Sequence, residues 1–200
     1  MKAKTTVIAA ALFTSSAALF ASGAYAQSTA SETQRDVNQQ QRIEQGLKNG
    51  SLTTREGAQL ERGESRIDRM QSKSLKDGDL SASEKARIQS AQNREGRQIY
   101  QQSHDNQTGN PDSRSSERMQ KDVARDIRQE KRVGNGVRSG ELTNRETAQL
   151  ERGQARTDRT EARAGADGRV GFHEQAGIQH RENGQNGRIY NQKHDDQTRR

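Results

Sequence analysis

The sequence has no cysteine, no tryptophan and a single proline, and aromatic residues make up only 3% of it. Without cysteine there can be no disulfide framework, thiolate metal site, iron–sulfur cluster, cysteine nucleophile or cysteine-linked lipid. Hydrophobic residues account for 26% of the 200 positions and charged residues for 30%, too little apolar material to enclose the core of a large enzyme. There is no Gly-x-Ser-x-Gly, no phosphate-cradling glycine loop and no His-Glu-x-x-His. Carboxylate pairs fall on helical faces that read as solvated, where nothing would raise their pKa, so acid–base catalysis is not expected.

The one long apolar run is at the start. Lys2 and Lys4 precede an Ala-rich stretch from Thr5 to Phe20, and Ala24-Tyr25-Ala26 is a small-x-small cleavage pattern. A transmembrane anchor needs about 20 strongly apolar residues, and Ser and Thr interrupt this stretch. Residues 1–26 therefore read as a signal peptide cleaved near Ala26, with a periplasmic or secreted product beginning near Gln27.

The rest of the chain is written twice. Gly46-Leu47-Lys48-Asn49-Gly50 aligns with Gly136-Val137-Arg138-Ser139-Gly140, and Ala58-Gln59-Leu60-Glu61-Arg62-Gly63 with Ala148-Gln149-Leu150-Glu151-Arg152-Gly153. Ile99-Tyr100 and His104-Asp105 return as Ile189-Tyr190 and His194-Asp195. The offset holds at about 90 residues without a gap, with roughly half the positions identical, as expected of duplicated folded units. The only proline, Pro111, lies in the polar stretch between the copies. The division is thus a helical module over 35–107, a linker over 108–118 and a duplicate module over 119–200.

Each module reads as three helices, making the protein all-α. Leu60, Gly63, Ile67 and Met70 follow the 3-4-3 spacing of a helix packed on another helix, and no segment alternates with the period of a strand. Thr53-Thr54-Arg55-Glu56, Ser81-Ala82-Ser83-Glu84 and Thr143-Asn144-Arg145-Glu146 fit capping boxes, each following a turn that contains glycine. The second module is expected to be the weaker. Thr157 and Thr160 replace Ile67 and Met70, and Gly177, Gly184 and Gly187 interrupt its last helix.

The same turns resemble the second half of an EF-hand calcium loop, which wants glycine at its sixth position, an apolar eighth and a glutamate at its twelfth. Gly78, Leu80 and Glu84, then Gly168, Val170 and Glu174, meet this pattern, with Asp77 and Asp167 at the fifth position. Lys73 and Arg163 stand where the first ligand should be, and capping explains the same glutamates with fewer demands. The Asp-Gly turn followed by Glu is also similar to that of the tellurite-resistance TerB-like helical proteins. A second candidate is the terminal His104-Asp105 and its copy His194-Asp195. These could ligate a transition metal, or the histidine could cap the helix end while the tyrosine four residues earlier covers it. His173 and His180 read as surface residues.

The net charge of +7 falls to about +5 without Lys2 and Lys4, and the basic and acidic residues alternate rather than form a block. Near-absence of aromatics argues against nucleic acid as a specific partner. The mature chain as a whole resembles exported helical tandem-repeat proteins of Gram-negative bacteria, which implies location and architecture without an activity. The leading expectation is a non-enzymatic periplasmic or secreted binding protein, whose partner would be an envelope protein or an anionic polymer. The alternative is a buffer or sensor for calcium or a divalent transition metal, using Asp77, Glu84, Asp167, Glu174, His104, Asp105, His194 and Asp195. So small an apolar inventory makes a homodimer a reasonable way to complete a core.

Overall fold

The computed structural model describes residues 18–197, with side chains from residue 29 onward. Most of the expected leader, and with it residues 1–17, lies outside the described residues. The elements are α1 (Ala18–Asn49), α2 (Thr54–Ser74), α3 (Ala82–Gln102), α4 (Arg114–Ser139), α5 (Asn144–Ala164) and α6 (Phe172–Lys193). No strand occurs among the described residues. The fold is all-helical, with three helices from each repeat.

Local chemistry sets the boundaries. Thr53, Ser81 and Thr143 each accept from the backbone N–H three residues on, and Glu56, Glu84 and Glu146 reach back to the cap N–H. Gly50 and Gly140 close the α1–α2 and α4–α5 turns at φ of 77° and 81°, a left-handed backbone that disfavours any other residue. Pro111 sits in the connection between the repeats, and Ser113 caps α4. Despite its three glycines, α6 is a continuous helix of 22 residues.

The two repeats share one interior. The most extensive packing is between α2 and α5 and between α1 and α4, so these four helices form a bundle. On its outside α3 lies against α1 and α2, and α6 against α4 and α5. Both central pairs are antiparallel. Ala30 of α1 clusters with Val133 and Val137, whereas Ile43 and Leu47 cluster with Met119 and Val123. Along α2 and α5, Ala58 lies against Gly165, and Ser65 Oγ donates to the Ala155 carbonyl at 2.8 Å. Ser65 and Ala155 are equivalent positions of the repeats, so a pseudo-twofold axis passes close to this crossing.

Apolar side chains gather toward the two ends of the bundle. Ile43, Leu47, Leu52 and Leu60 fill one end, and their counterparts Val133, Val137, Leu142 and Leu150 the other. The turns clasp across repeats: Arg55 donates to the Asp167 carbonyl at 3.1 Å and Arg145 to the Asp77 carbonyl at 3.2 Å. The middle of the bundle is filled by something else.

Candidate metal centre

Glu61, Glu64, Asp68 and Gln71 recur along α2 at 3-4-3 spacing, beside the apolar stripe and in step with it. The equivalent positions of α5 are Glu151, Gln154, Asp158 and Glu161. Facing them are Asp36 and Gln40 of α1, and Asp126 and Glu130 of α4. The nine carboxyl groups in this set are each no more than 2% exposed. No lysine or arginine is among the buried residues described. This corrects the expectation that the helical carboxylates are solvated and unperturbed. The acidic stripe lies next to the greasy one, and closure of one repeat on the other buries both.

Amides satisfy part of the seam. Asp36 accepts from Gln71 at 2.6 Å and Gln92 at 2.7 Å, Asp126 from Gln154 at 2.6 Å, and Glu61 from Gln40 at 3.1 Å. The supply then runs out. Neither carboxylate oxygen of Glu64 or Glu151 accepts a hydrogen bond from the protein, and Asp158 and Glu161 meet only other carboxyls. Asp126 faces Glu161, and Asp68 faces Asp158, carboxyl to carboxyl. Such contacts are attractive only when a proton or a cation sits between the oxygens.

Burial raises the pKa throughout. Loss of solvation pushes Asp36 up to about 7 and Glu61 to about 8. Glu64, Asp68, Asp126, Glu130, Glu151, Asp158 and Glu161 are driven well above the ordinary carboxylate range by burial, with repulsion from neighbouring acids added. Toward the outer helices, Glu95 and Asp122 are raised to about 7 by the same loss of solvent. Arg125 reaches Glu182 at 2.8 Å, yet burial beside Asp126 and Asp122 still lifts Glu182 to about 8.

Two groups of three bring oxygens close enough to share an ion. Glu61, Asp126 and Glu161 each place one oxygen within 4.8 Å of the others, as do Asp68, Glu130 and Glu151. A cation of calcium's size bound at about 2.3–2.6 Å from each ligand fits such spacing. The Oε1 of Gln40 accepts no hydrogen bond while its amide holds Glu61, leaving a neutral oxygen beside the first group.

The residues singled out in the sequence lie elsewhere. Glu84 and Glu174 bond the backbone N–H of Ser81 and Gly171 at 3.1 and 2.8 Å as helix caps. Asp77 and Asp167 accept from the N–H of Asp79 and Arg169, as turn residues do. His104 stacks on Tyr100 with ring centres 4.1 Å apart and its Nδ1 at 2.8 Å from the Tyr100 carbonyl; His194 and Tyr190 repeat this at 4.2 and 2.7 Å. Asp105 and Asp195 take the N–H of Gln107 and Gln197. The structure gathers none of these eight into either carboxylate group. The signal that could have found the seam is its period: acids and amides at helical spacing on one face, at the same register in both repeats, with Arg62, Arg66 and Arg69 kept off it.

The comparisons with known proteins add no assignment: no protein-family model, no curated protein and no solved structure matches the chain.

Proposed function

We propose that this protein binds hard metal cations in the carboxylate interior of its four-helix bundle. The observation that carries the reading is the pair of buried carboxylates Glu64 and Glu151, whose two oxygens find no donor in the protein, beside the carboxyl-to-carboxyl contacts of Asp158 and Glu161. An ionised carboxylate stripped of water is costly unless a counter-charge replaces the solvent. No basic side chain is buried here to supply it. The donor set is oxygen alone, which suits calcium, manganese and similar oxygen-seeking ions, whereas zinc, copper and nickel favour imidazole or thiolate. Export through a leader ending near Ala26 belongs to the same proposal.

Thermal melts of chelator-treated protein at pH 7 test this. Calcium or manganese at a hundred times its Kd stabilises the fold by about 2.7 kcal/mol by mass action and raises Tm accordingly. Zinc produces the smaller shift. No shift with millimolar calcium or manganese overturns the reading.

A second reading is favoured by the opposite charge outside. A groove of about 620 Å³ over α2 and α5 is lined by Arg69, Lys73, Lys76, Arg145, Arg152, Arg156 and Arg159, with no acidic residue among its walls. It suits an anionic polymer, whose retention would weaken as salt screens the contact.

A further inference from the structure

The pseudo-twofold axis makes a specific count possible. Equivalent halves of the seam contain Glu61, Asp126, Asp158, Glu161 and Gln40 on one side, and Glu151, Asp36, Asp68, Gln71 and Glu130 on the other. Glu64 and its counterpart Gln154 aside, each half has four carboxyls and one amide, but the amide sits at a different place. Glu161 completes the group with Glu61 and Asp126, while its counterpart Gln71 donates to Asp36. Glu130 completes the group with Asp68 and Glu151, while its counterpart Gln40 donates to Glu61. Divergence between repeats thus leaves one complete triad in each half.

The triads share no residue. Glu61 and Asp68 are seven residues apart on α2, about 10 Å along the axis, Glu151 and Glu161 about 15 Å apart on α5, and Asp126 and Glu130, where the triads come nearest, one turn or about 6 Å apart on α4. Paired catalytic ions stand only about 3.5–4 Å apart. Charge then selects the ion. With its three carboxyls ionised, a triad holding a divalent cation keeps one negative charge uncompensated and one holding a trivalent cation keeps none, where no lysine or arginine is buried to help.

We propose that the interior is two separate mononuclear sites, Glu61–Asp126–Glu161 and Asp68–Glu130–Glu151, each selecting a trivalent oxygen-seeking cation of calcium's size over calcium itself. Glu151, with no protein donor on either oxygen, and the Gln40 Oε1 beside Glu61, which accepts nothing, point to a ligand independently of the clustering. The inference rests on the cation-binding reading above and adds number, separation and charge to it.

Europium(III) and calcium titrations of the full chelator-treated chain test it, with europium emission lifetimes compared in water and heavy water. The expected result is two equivalents of europium, each with fewer coordinated waters than the free ion, held about a hundredfold or more tighter than calcium. Glu161→Gln and Glu130→Gln each remove one equivalent, and the double variant removes both. These substitutions copy the amides of the other repeat and delete a buried charge, so the metal-free variants melt no lower than the parent. Asp77→Asn with Glu84→Gln leaves both equivalents in place. Calcium held as tightly as europium overturns the charge selection while the cation-binding function stands. One equivalent, or two surviving in Glu161→Gln, overturns the two-site arrangement. Failure of europium, calcium and manganese alike overturns the function as well.

Discussion

Glu64 and Gln154 occupy equivalent points of the two repeats and show what one atom decides in this interior. The Gln154 amide donates to Asp126 at 2.6 Å, while both Glu64 oxygens are buried without a donor beside Asp36, Glu95, Glu61 and Asp158. Glu64→Gln is expected to stabilise the metal-free protein at pH 8 by on the order of 1–3 kcal/mol, read from urea unfolding. Glycines give a sharper contrast. A Cβ on Gly177 or Gly187 meets nothing within 4 Å, so Gly177→Ala and Gly187→Ala each stabilise by about 0.5–1 kcal/mol. A Cβ on Gly165, the C-cap of α5, would meet the Met119 Cε at 2.6 Å, the Ala58 Cβ at 2.8 Å and the Thr54 carbonyl at 3.3 Å. Gly165→Ala therefore destabilises by about 1–3 kcal/mol in the same assay.

At the scale of single helices, capping accounts for much of the design. Thr53→Ala, Ser81→Ala and Thr143→Ala each remove the acceptor of an early helical N–H and are expected to cost about 1 kcal/mol, measured as a fall in Tm. The helices, their caps and the glycine turns were legible in the sequence because they follow from contacts within a few residues. The stripe through Leu60 and Ile67 was legible too, and both side chains are buried. The neighbouring stripe of Glu61, Glu64 and Asp68 was not. A lone amphipathic helix needs only one covered face, and acids beside it read as its wet edge. Covering a second face requires a second partner helix about 90 residues away in sequence, and nothing local to α2 announces α5. The terminal histidines drew attention for the converse reason: Tyr100 and His104 advertise chemistry, yet their contact is a local closure of a helix end.

For the molecule as a whole, the seam inverts the usual response to pH. Carboxyls with raised folded pKa hold protons that the unfolded chain has already released above about pH 4. Their stabilising contribution is complete below that value and is lost as pH climbs toward the folded values, about 7 for Asp36 and about 8 for Glu61. Each group costs about 1.4 kcal/mol per pH unit across its interval. Chelator-treated protein should thus melt at a higher temperature at pH 5 than at pH 8. Loaded protein should release protons on binding, measurable in weakly buffered solution, and lose this slope.

The interleaving of α1 with α4 and α2 with α5 has a consequence for how such an interior could arise and be altered. A single repeat presents a self-complementary surface, so residues 27–110 alone, or 111–197 alone, would have to close on a second copy of themselves. Strict symmetry then permits only all-or-nothing outcomes at positions 40 and 71: two copies of the first repeat give no acid triad, and two copies of the second give four crowded ones. Equimolar mixing of the two fragments is accordingly expected to restore cation binding that the first fragment lacks, with sedimentation reporting the paired species. Joining unequal copies in one polypeptide breaks that rule, placing an amide opposite an acid and spacing the charges as no identical pair could.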